Sequence, residues 1–501
     1  MNGSTQYGDH PSRMGWDEWV VFVLIVLVST ILRFYRLGVE SIWLDEATSI
    51  LIAQHSIPGV MAWAAGDIHP PLYYLILHFW LVAGTSEYAV RALSAVAGIV
   101  TVAVTYRLSS ALFGWKTGAI AALLLAIAPM HVWYSQEVRM YALVTMFTVM
   151  ATYGLARGLQ TDKRRFWLFY LICTTLALYT HYYALFVLVF QNLYMLKLWL
   201  QGKRGQLVRH WIGAQIGALA LFAPWVPVMF GQVVSGGGGW VERAVGQPSV
   251  RQLLSTFVVY TVGVTGADFP KWLLYASCVL FGLVLLFGVY SAVARSRAEN
   301  AKEAEALLFI ALYLLVPLGL AWAISQIKPL YALRYLLPFL PPYTIAVAYG
   351  ASRVRHAVLR LGLIGLLLAA PAVSDYSLYS YQQNPDWRSV AAHITKAAAP
   401  GDVVVFDPRW NAKPFDYYAK QAVPVSLDLP IPLRESDVAP ALAGVTTKYQ
   451  RLWLVWDPVH YSDPQGWVRE YLDARYSRLD EREYRGVGEV ILYDLRGTSS
   501  S

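Results

Sequence analysis

Asp45, Glu46, Asp67, His69, Gln136, Glu137, Arg139, His181, Lys328 and Arg334 are carboxylates, cations and polar groups set near the ends of apolar runs. Tyrosines are interleaved with them: Tyr73, Tyr74, Tyr134, Tyr141, Tyr179, Tyr182, Tyr183, Tyr331 and Tyr335. At a hydrocarbon–water boundary a charge is expensive, so ionisable groups held there are as a rule paired and functional. The adjacent carboxylates of Asp45 and Glu46, flanked by Trp43 and Leu44, are the sharpest case. Read locally, the pair also fits a helix start, with Asp45 as cap and Glu46 in the first turn. Aromatic residues at this level form an ordinary interfacial belt. The weight therefore rests on the charges.

One carboxylate among several cations suits transfer of a sugar from a phospholipid carrier. Such a carrier keeps its tail in the bilayer and presents the anomeric carbon at the surface. An attacking hydroxyl needs a general base, worth roughly 10²–10⁴-fold. The phosphate leaves as an anion, which cations stabilise without a general acid. A hydrolytic glycosidase would need two carboxylates, one of them protonated, and neighbours such as Asp45 and Glu46 point apart on a helix or strand. Asp45, Glu46, His69 and His181 are also ligand types for a divalent cation, but no spacing demands one, and the metal question stays open.

The elements that must position these groups are membrane spans. Of 501 residues 57% are hydrophobic and 14% charged, against roughly 25% charged in soluble domains. Apolar runs at 19–38, 92–112, 118–134, 141–157, 166–180, 183–200, 211–230, 271–294, 306–325, 333–350 and 357–373 predict a multi-pass protein of roughly eleven helices. The first run ends in Arg33-Phe34-Tyr35-Arg36 with no small-residue cleavage site, so it reads as a span and not as a signal peptide. The net charge of +8 gathers in short loops, at Arg157/Lys163/Arg164/Arg165, Lys197/Lys203/Arg204/Arg209, Arg295/Arg297/Lys302 and Arg353/Arg355/Arg360. That is a topology signal and not a nucleic-acid surface. With the N-terminus in the cytoplasm all four clusters fall on that side. The loops 39–91 and 231–270 and everything after 374 then fall outside, provided that 252–267 does not cross.

The expected organisation is a transmembrane part, 1–375, carrying those two outer loops, and a small extracytoplasmic α/β domain, 376–501. In the tail, 387–398 and 465–476 read as helices, and 402–406, 451–456 and 488–494 as strands. The run Gly236–Gly239 before Trp240 reads as a flexible linker, with a lid as the alternative. Cys173 and Cys278 both lie in apolar runs, so no disulfide framework is expected.

Four motifs carry a resemblance. Trp43-Leu44-Asp45-Glu46 follows the first span, His69-Pro70-Pro71-Leu72-Tyr73-Tyr74 follows it, and then come Tyr134-Ser135-Gln136-Glu137-Val138-Arg139-Met140-Tyr141 and Tyr179-Thr180-His181-Tyr182-Tyr183. Over roughly 16–350 this ordered set resembles the GT-C membrane glycosyltransferases, in the bacterial branch related to protein O-mannosyltransferases and lipid A aminoarabinose transferases. The resemblance implies an all-α polytopic GT-C domain acting on a polyprenyl-phosphate sugar donor. The acceptor would be a lipid, glycan or protein, at the outer face of the plasma (inner) membrane. It places the catalytic base at Asp45, with Glu46 either positioning the acceptor or assisting with a cation. It implicates His69, Tyr73, Arg139, Lys328 and Arg334 in holding the carrier phosphate. Trp43, Asp67, Tyr74, Gln136, Glu137, His181 and Tyr182 would line the substrate site. The aminoarabinose branch has lysine before Pro-Pro, where this chain has His69.

Plainer readings accompany these. His181 and His78 fit inter-helix hydrogen bonds, Arg139 fits a local pair with Glu137, and Arg33 and Arg36 fit snorkelling or headgroup contact. A transporter or flippase of lipid-linked sugars is the alternative function. It favours mid-membrane charges and internal repeats, whereas the charges here lie at one face and no repeat is visible.

Overall fold

The computed structural model describes residues 14–202, 205–234, 246–264, 269–296, 301–426, 429–430, 433–457, 463 and 465–497. They form two compact units. One comprises residues up to Leu37, His55–Gly84 and Ala89–Tyr381; the other comprises Gly38–Gln54, Thr85–Tyr88 and Gln382 onward. The sequence reading kept all of 39–91 with the spans. Here two pieces of that loop group with the tail.

The first unit is helical among its described residues: α1 Trp16–Phe34, then α3 Ile57–Gly66, α4 Leu72–Trp80, α5 Glu87–Phe113, α6 Trp115–Ala126, α7 Pro129–Tyr134, α8 Tyr141–Thr161, α9 Arg164–Thr180, α10 Ala184–Leu200, α11 Gly205–Phe222, α12 Val226–Val234, α13 Val250–Val262, α14 Lys271–Ser296, α15 Ala301–Ile324, a 3₁₀ segment Leu333–Phe339, α16 Leu340–Ser352 and α17 Ala357–Ser380. α2, Leu44–Ala53, and the first two residues of α5, Glu87 and Tyr88, belong to the second unit.

Six stretches are long and apolar enough to cross a bilayer singly, at 87–113, 141–161, 205–234, 271–294, 301–324 and 357–380. The other expected spans map onto shorter or more charged helices. α1 carries Asp17, Glu18 and Arg33, and α9 and α10 have 17 residues each. The span at 118–134 is broken into α6 and α7, and that at 333–350 into the 3₁₀ segment and α16. α13 opens on a reciprocal capping box, in which Gln252 Oε1 accepts from the Ser249 amide at 2.7 Å and Ser249 Oγ accepts from the Gln252 amide at 3.3 Å. It has 13 residues, about 20 Å of rise, which is short of the roughly 30 Å hydrocarbon layer. The glycine run 236–239 and Trp240 lie outside the described residues.

Arg33 does not snorkel. It is fully buried, donating to the carbonyls of Ala126 (2.9 Å) and Leu125 (3.4 Å) at the end of α6 and to His131 Nδ1 (2.5 Å). Helix ends leave carbonyls without intrahelical partners, and a guanidinium has donors enough to meet several at once.

In the second unit a five-stranded sheet runs β2-β1-β3-β5-β4, with β1 Asp402–Asp407, β2 Val425–Ser426, β3 Arg451–Trp456, β4 Ser477–Tyr484 and β5 Gly488–Asp494. β1 pairs in parallel with β2 and β3; β5 runs antiparallel to both β3 and β4. Alternation sorts β1 and β3 onto two cores. Val404, Phe406, Trp453 and Val455 face α18 (Trp387–Ala397) and α19 (Ala412–Ala419). Val403, Val405, Leu452 and Leu454 face α20 (Glu435–Lys448) and α21 (Trp467–Asp473). The helix expected over 465–476 is the shorter α21. β4 escaped the sequence reading because Ser477–Tyr484 is an exposed edge with charges on both faces, showing no apolar alternation.

Candidate functional site

His69 lies in the turn between α3 and α4, where Pro70 and Pro71 keep the backbone out of a helix until Leu72. It is 4% exposed, and its Nε2 accepts from Arg139 Nη2 at 3.3 Å. A guanidinium only donates, so the His69 proton sits on Nδ1. Burial, with Arg139 and Arg334 nearby, holds this imidazole well below the usual histidine range, and it is neutral. Arg334, half-buried on the 3₁₀ segment, thus adds a second positive field at His69.

His181 ends α9 in extended backbone. Its Nδ1 accepts from the Tyr183 amide at 3.1 Å, which puts the proton on Nε2, and that buried N–H meets no acceptor among the described residues. The His69 and His181 rings stand 5.1 Å apart. Tyr335 closes over both, at 4.9 Å from His181 and 6.0 Å from His69, and Tyr141 and Tyr183 flank Tyr335 at 5.9 and 5.2 Å. The Arg139 guanidinium also lies 5.7 Å from the Tyr141 ring centre. Four chain segments thus build one wall of imidazoles, phenols and guanidinium. Leaving a buried donor unmet costs about 1–3 kcal/mol. Beside two arginines, such a wall is chemically suited to an oxygen-rich anion.

Asp67 caps the end of α3 and accepts from the Tyr74 hydroxyl at 3.1 Å; Tyr73 and Tyr74 are fully buried. The other expected residues have polar atoms engaged elsewhere. Gln136 donates to the carbonyls of Leu32, Arg33 and Tyr35, which closes the end of α1. Glu137 accepts from the Trp133 indole at 2.6 Å. Lys328 donates to the Val233 carbonyl at the end of α12 at 2.6 Å. Tyr182 bonds with Gln232 and accepts from the Trp225 indole at 3.0 Å.

Trp43, Asp45 and Glu46 lie in the second unit. Trp43 is the residue before α2, Asp45 is half-buried, and Glu46 is fully buried with Oε2 accepting from the Trp43 amide at 3.4 Å. Glu46, not Asp45, therefore closes the helix start. Sequence reasoning named Tyr141 and Tyr183 inside two of the motifs and Tyr335 beside Arg334, without placing any of the three rings at the two histidines. Among the described residues no group of three or more His, Cys, Asp or Glu is set to hold a metal ion, and the His69 nitrogen free to ligate faces Arg139.

A family model described as dolichyl-phosphate-mannose-protein mannosyltransferase matches residues 68–228, the stretch holding His69, Arg139 and His181. No curated protein sequence matches the chain. ArnT from Cupriavidus metallidurans in the apo state has a TM-score of 0.61 at 12% identity, over 96% of this chain and 98% of that one. The same protein bound to undecaprenyl phosphate gives 0.57 at the same identity and coverage. The Archaeoglobus fulgidus oligosaccharyltransferase AglB, in complex with an inhibitory peptide and a dolichol-phosphate, gives 0.56 at 11% identity, over 95% and 74%. The protein is a membrane protein with the GT-C fold, similar in that fold to ArnT and AglB and, over residues 68–228, to the mannosyltransferase family model.

Proposed function

We propose that this protein is an inverting glycosyltransferase that uses a polyprenyl-phosphate sugar at the outer face of the plasma (inner) membrane. The observation that carries the reading is the buried Arg139–His69–His181 wall with its unmet donor. It stands in a fold whose solved relatives include one bound to undecaprenyl phosphate and one to a dolichol-phosphate. Arg139 and Arg334 would neutralise the carrier phosphate, with the His69 Nδ1–H and His181 Nε2–H as further donors. Asp45 is assigned as general base because Glu46 is buried in its capping bond. The acceptor O–H proton passes to Asp45 and the acceptor oxygen bonds to the anomeric carbon. The carbon–phosphate-oxygen bond breaks with its electron pair going to the phosphate. Donor contacts should strengthen as that oxygen gains charge.

The test is purified protein with undecaprenyl-phosphate mannose as the first donor, the sugar taken from the matched family's description, and an envelope extract as acceptor. Release of undecaprenyl phosphate with a glycosylated product is expected. Asp45→Asn should lower turnover about 100-fold or more with donor binding retained. An Asp45→Asn protein of near-normal turnover would remove the base assignment. Transbilayer movement of intact donor without bond cleavage would install the flippase reading instead.

A further inference from the structure

The tail domain has no part in the chemistry above, yet it absorbs the polar groups of the stretch that leads into α2. Residues 38–43 form neither helix nor strand, so their backbone must find partners elsewhere. One guanidinium, that of Arg388, donates to the carbonyls of Gly38 (3.3 Å), Val39 (3.2 Å) and Glu40 (3.5 Å) and to Glu87 Oε1 (2.8 Å). The Tyr418 hydroxyl accepts from the Ile42 amide at 2.7 Å and donates to the same Glu87 oxygen at 3.1 Å. Asn384 donates its side-chain amide to the Ser41 carbonyl at 2.9 Å, and its backbone amide goes to Glu40 at 3.1 Å. Lys413 of α19 reaches Thr48 on α2 at 3.3 Å. All these residues lie within the second unit.

We propose that the tail domain is the positioning body of the acidic helix: Arg388 and Tyr418 clamp the chain entering α2 and so fix where Asp45 stands. The proposal rests on the functional reading only for the role of Asp45. A carboxylate on a helix of under three turns behind an irregular lead has little rigidity of its own. A base displaced by about 1 Å can cost on the order of 100-fold in rate. Arg388 and Tyr418 are positioning residues, since they act through the backbone of 38–42 and not on substrate.

The test takes Tyr418→Phe, which removes one oxygen, and Arg388→Lys, which keeps the charge at Glu87 and loses the fork. Hydrogen–deuterium exchange on the full-length protein should show 38–54 exchanging tenfold or more faster in Tyr418→Phe, with strands β1 and β3 unchanged. With undecaprenyl-phosphate mannose as probe, kcat should fall ten- to a hundredfold while donor KM stays within twofold. In an Asp45→Asn background, adding Tyr418→Phe should cost nothing more. Unchanged exchange at 38–54, an equal loss in the Asp45→Asn background, or a rise in KM in place of the kcat loss each overturns the proposal. If Tyr418→Phe does not fold, Arg388→Lys carries the same measurements, and failure of both to fold reduces the clamp to plain stability. A wild type inert on the probe, or an active Asp45→Asn, strikes the functional reading alone, and the exchange result still decides the clamp.

Discussion

A neutral imidazole held against a guanidinium has a pH signature. His69 refuses a proton in the folded chain because burial and the fields of Arg139 and Arg334 oppose its charge. The unfolded chain takes that proton near pH 6.5. Its contribution to stability is therefore full above about pH 7 and is lost as pH falls below 6.5, where the unfolded state binds more protons. The loss reaches at most about 1.4 kcal/mol per pH unit. Thermal unfolding of wild type against His69→Gln between pH 7.5 and 5 should show the wild type losing more on the acid side; parallel curves would remove this account. Arg139→Lys keeps charge but loses the planar fork, so donor binding should weaken about tenfold or more with folding intact. The arginines and histidines of this wall were legible in sequence as residue types beside spans. That Gln136 and Lys328 close helix ends was not, since a free carbonyl has no sequence signature.

At the scale of elements, α1, α6 and α7 exchange their unmet carbonyls. Arg33 of α1 closes α6, and Gln136, just past α7, closes α1. The exchange leaves no room on α5. A methyl at Gly98 would fall 2.2 Å from Ser135 Oγ and 2.9 Å from Arg33 Nε. Gly98→Ala should therefore destabilise by about 1–3 kcal/mol and lower activity, because Ser135 stands four residues before Arg139. Gly213→Ala on α11 meets nothing within 4 Å and should be neutral, or stabilising by up to about 1 kcal/mol. Unfolding of the two variants side by side checks the pair; equal behaviour would mean the contact at Gly98 is slack. Apolar run length found the long helices because membrane helices are apolar over long runs. It could not place this exchange, which depends on Arg33 turning inward where snorkelling was the ordinary expectation.

For the whole molecule the contacts within the second unit set a parity. Gly38–Gln54 and Thr85–Tyr88 share one compact body with the tail from Gln382, so all three lie on one side of the membrane. The chain from Gln54 to Thr85 must then return to the side it left, in keeping with α3 and α4, whose 10 and 9 residues are too short to cross singly. Between Tyr88 and Gln382 the number of crossings must also be even. The sequence offers ten apolar runs there, from 92–112 to 357–373, and a crossing by α13 would make the count odd. On the proposed topology, with the four basic loops in the cytoplasm, the shared side is the outer one. A single cysteine at Ala443, an exposed position on α20, in a background with Cys173 and Cys278 both changed to Ser, should react with a membrane-impermeant thiol reagent in intact spheroplasts. A cysteine at Arg355, in the basic turn before α17, should react only after permeabilisation. Both sites labelling from outside would break the span count, and Ala443→Cys labelling only after permeabilisation would place the tail, and Asp45 with it, on the cytoplasmic side.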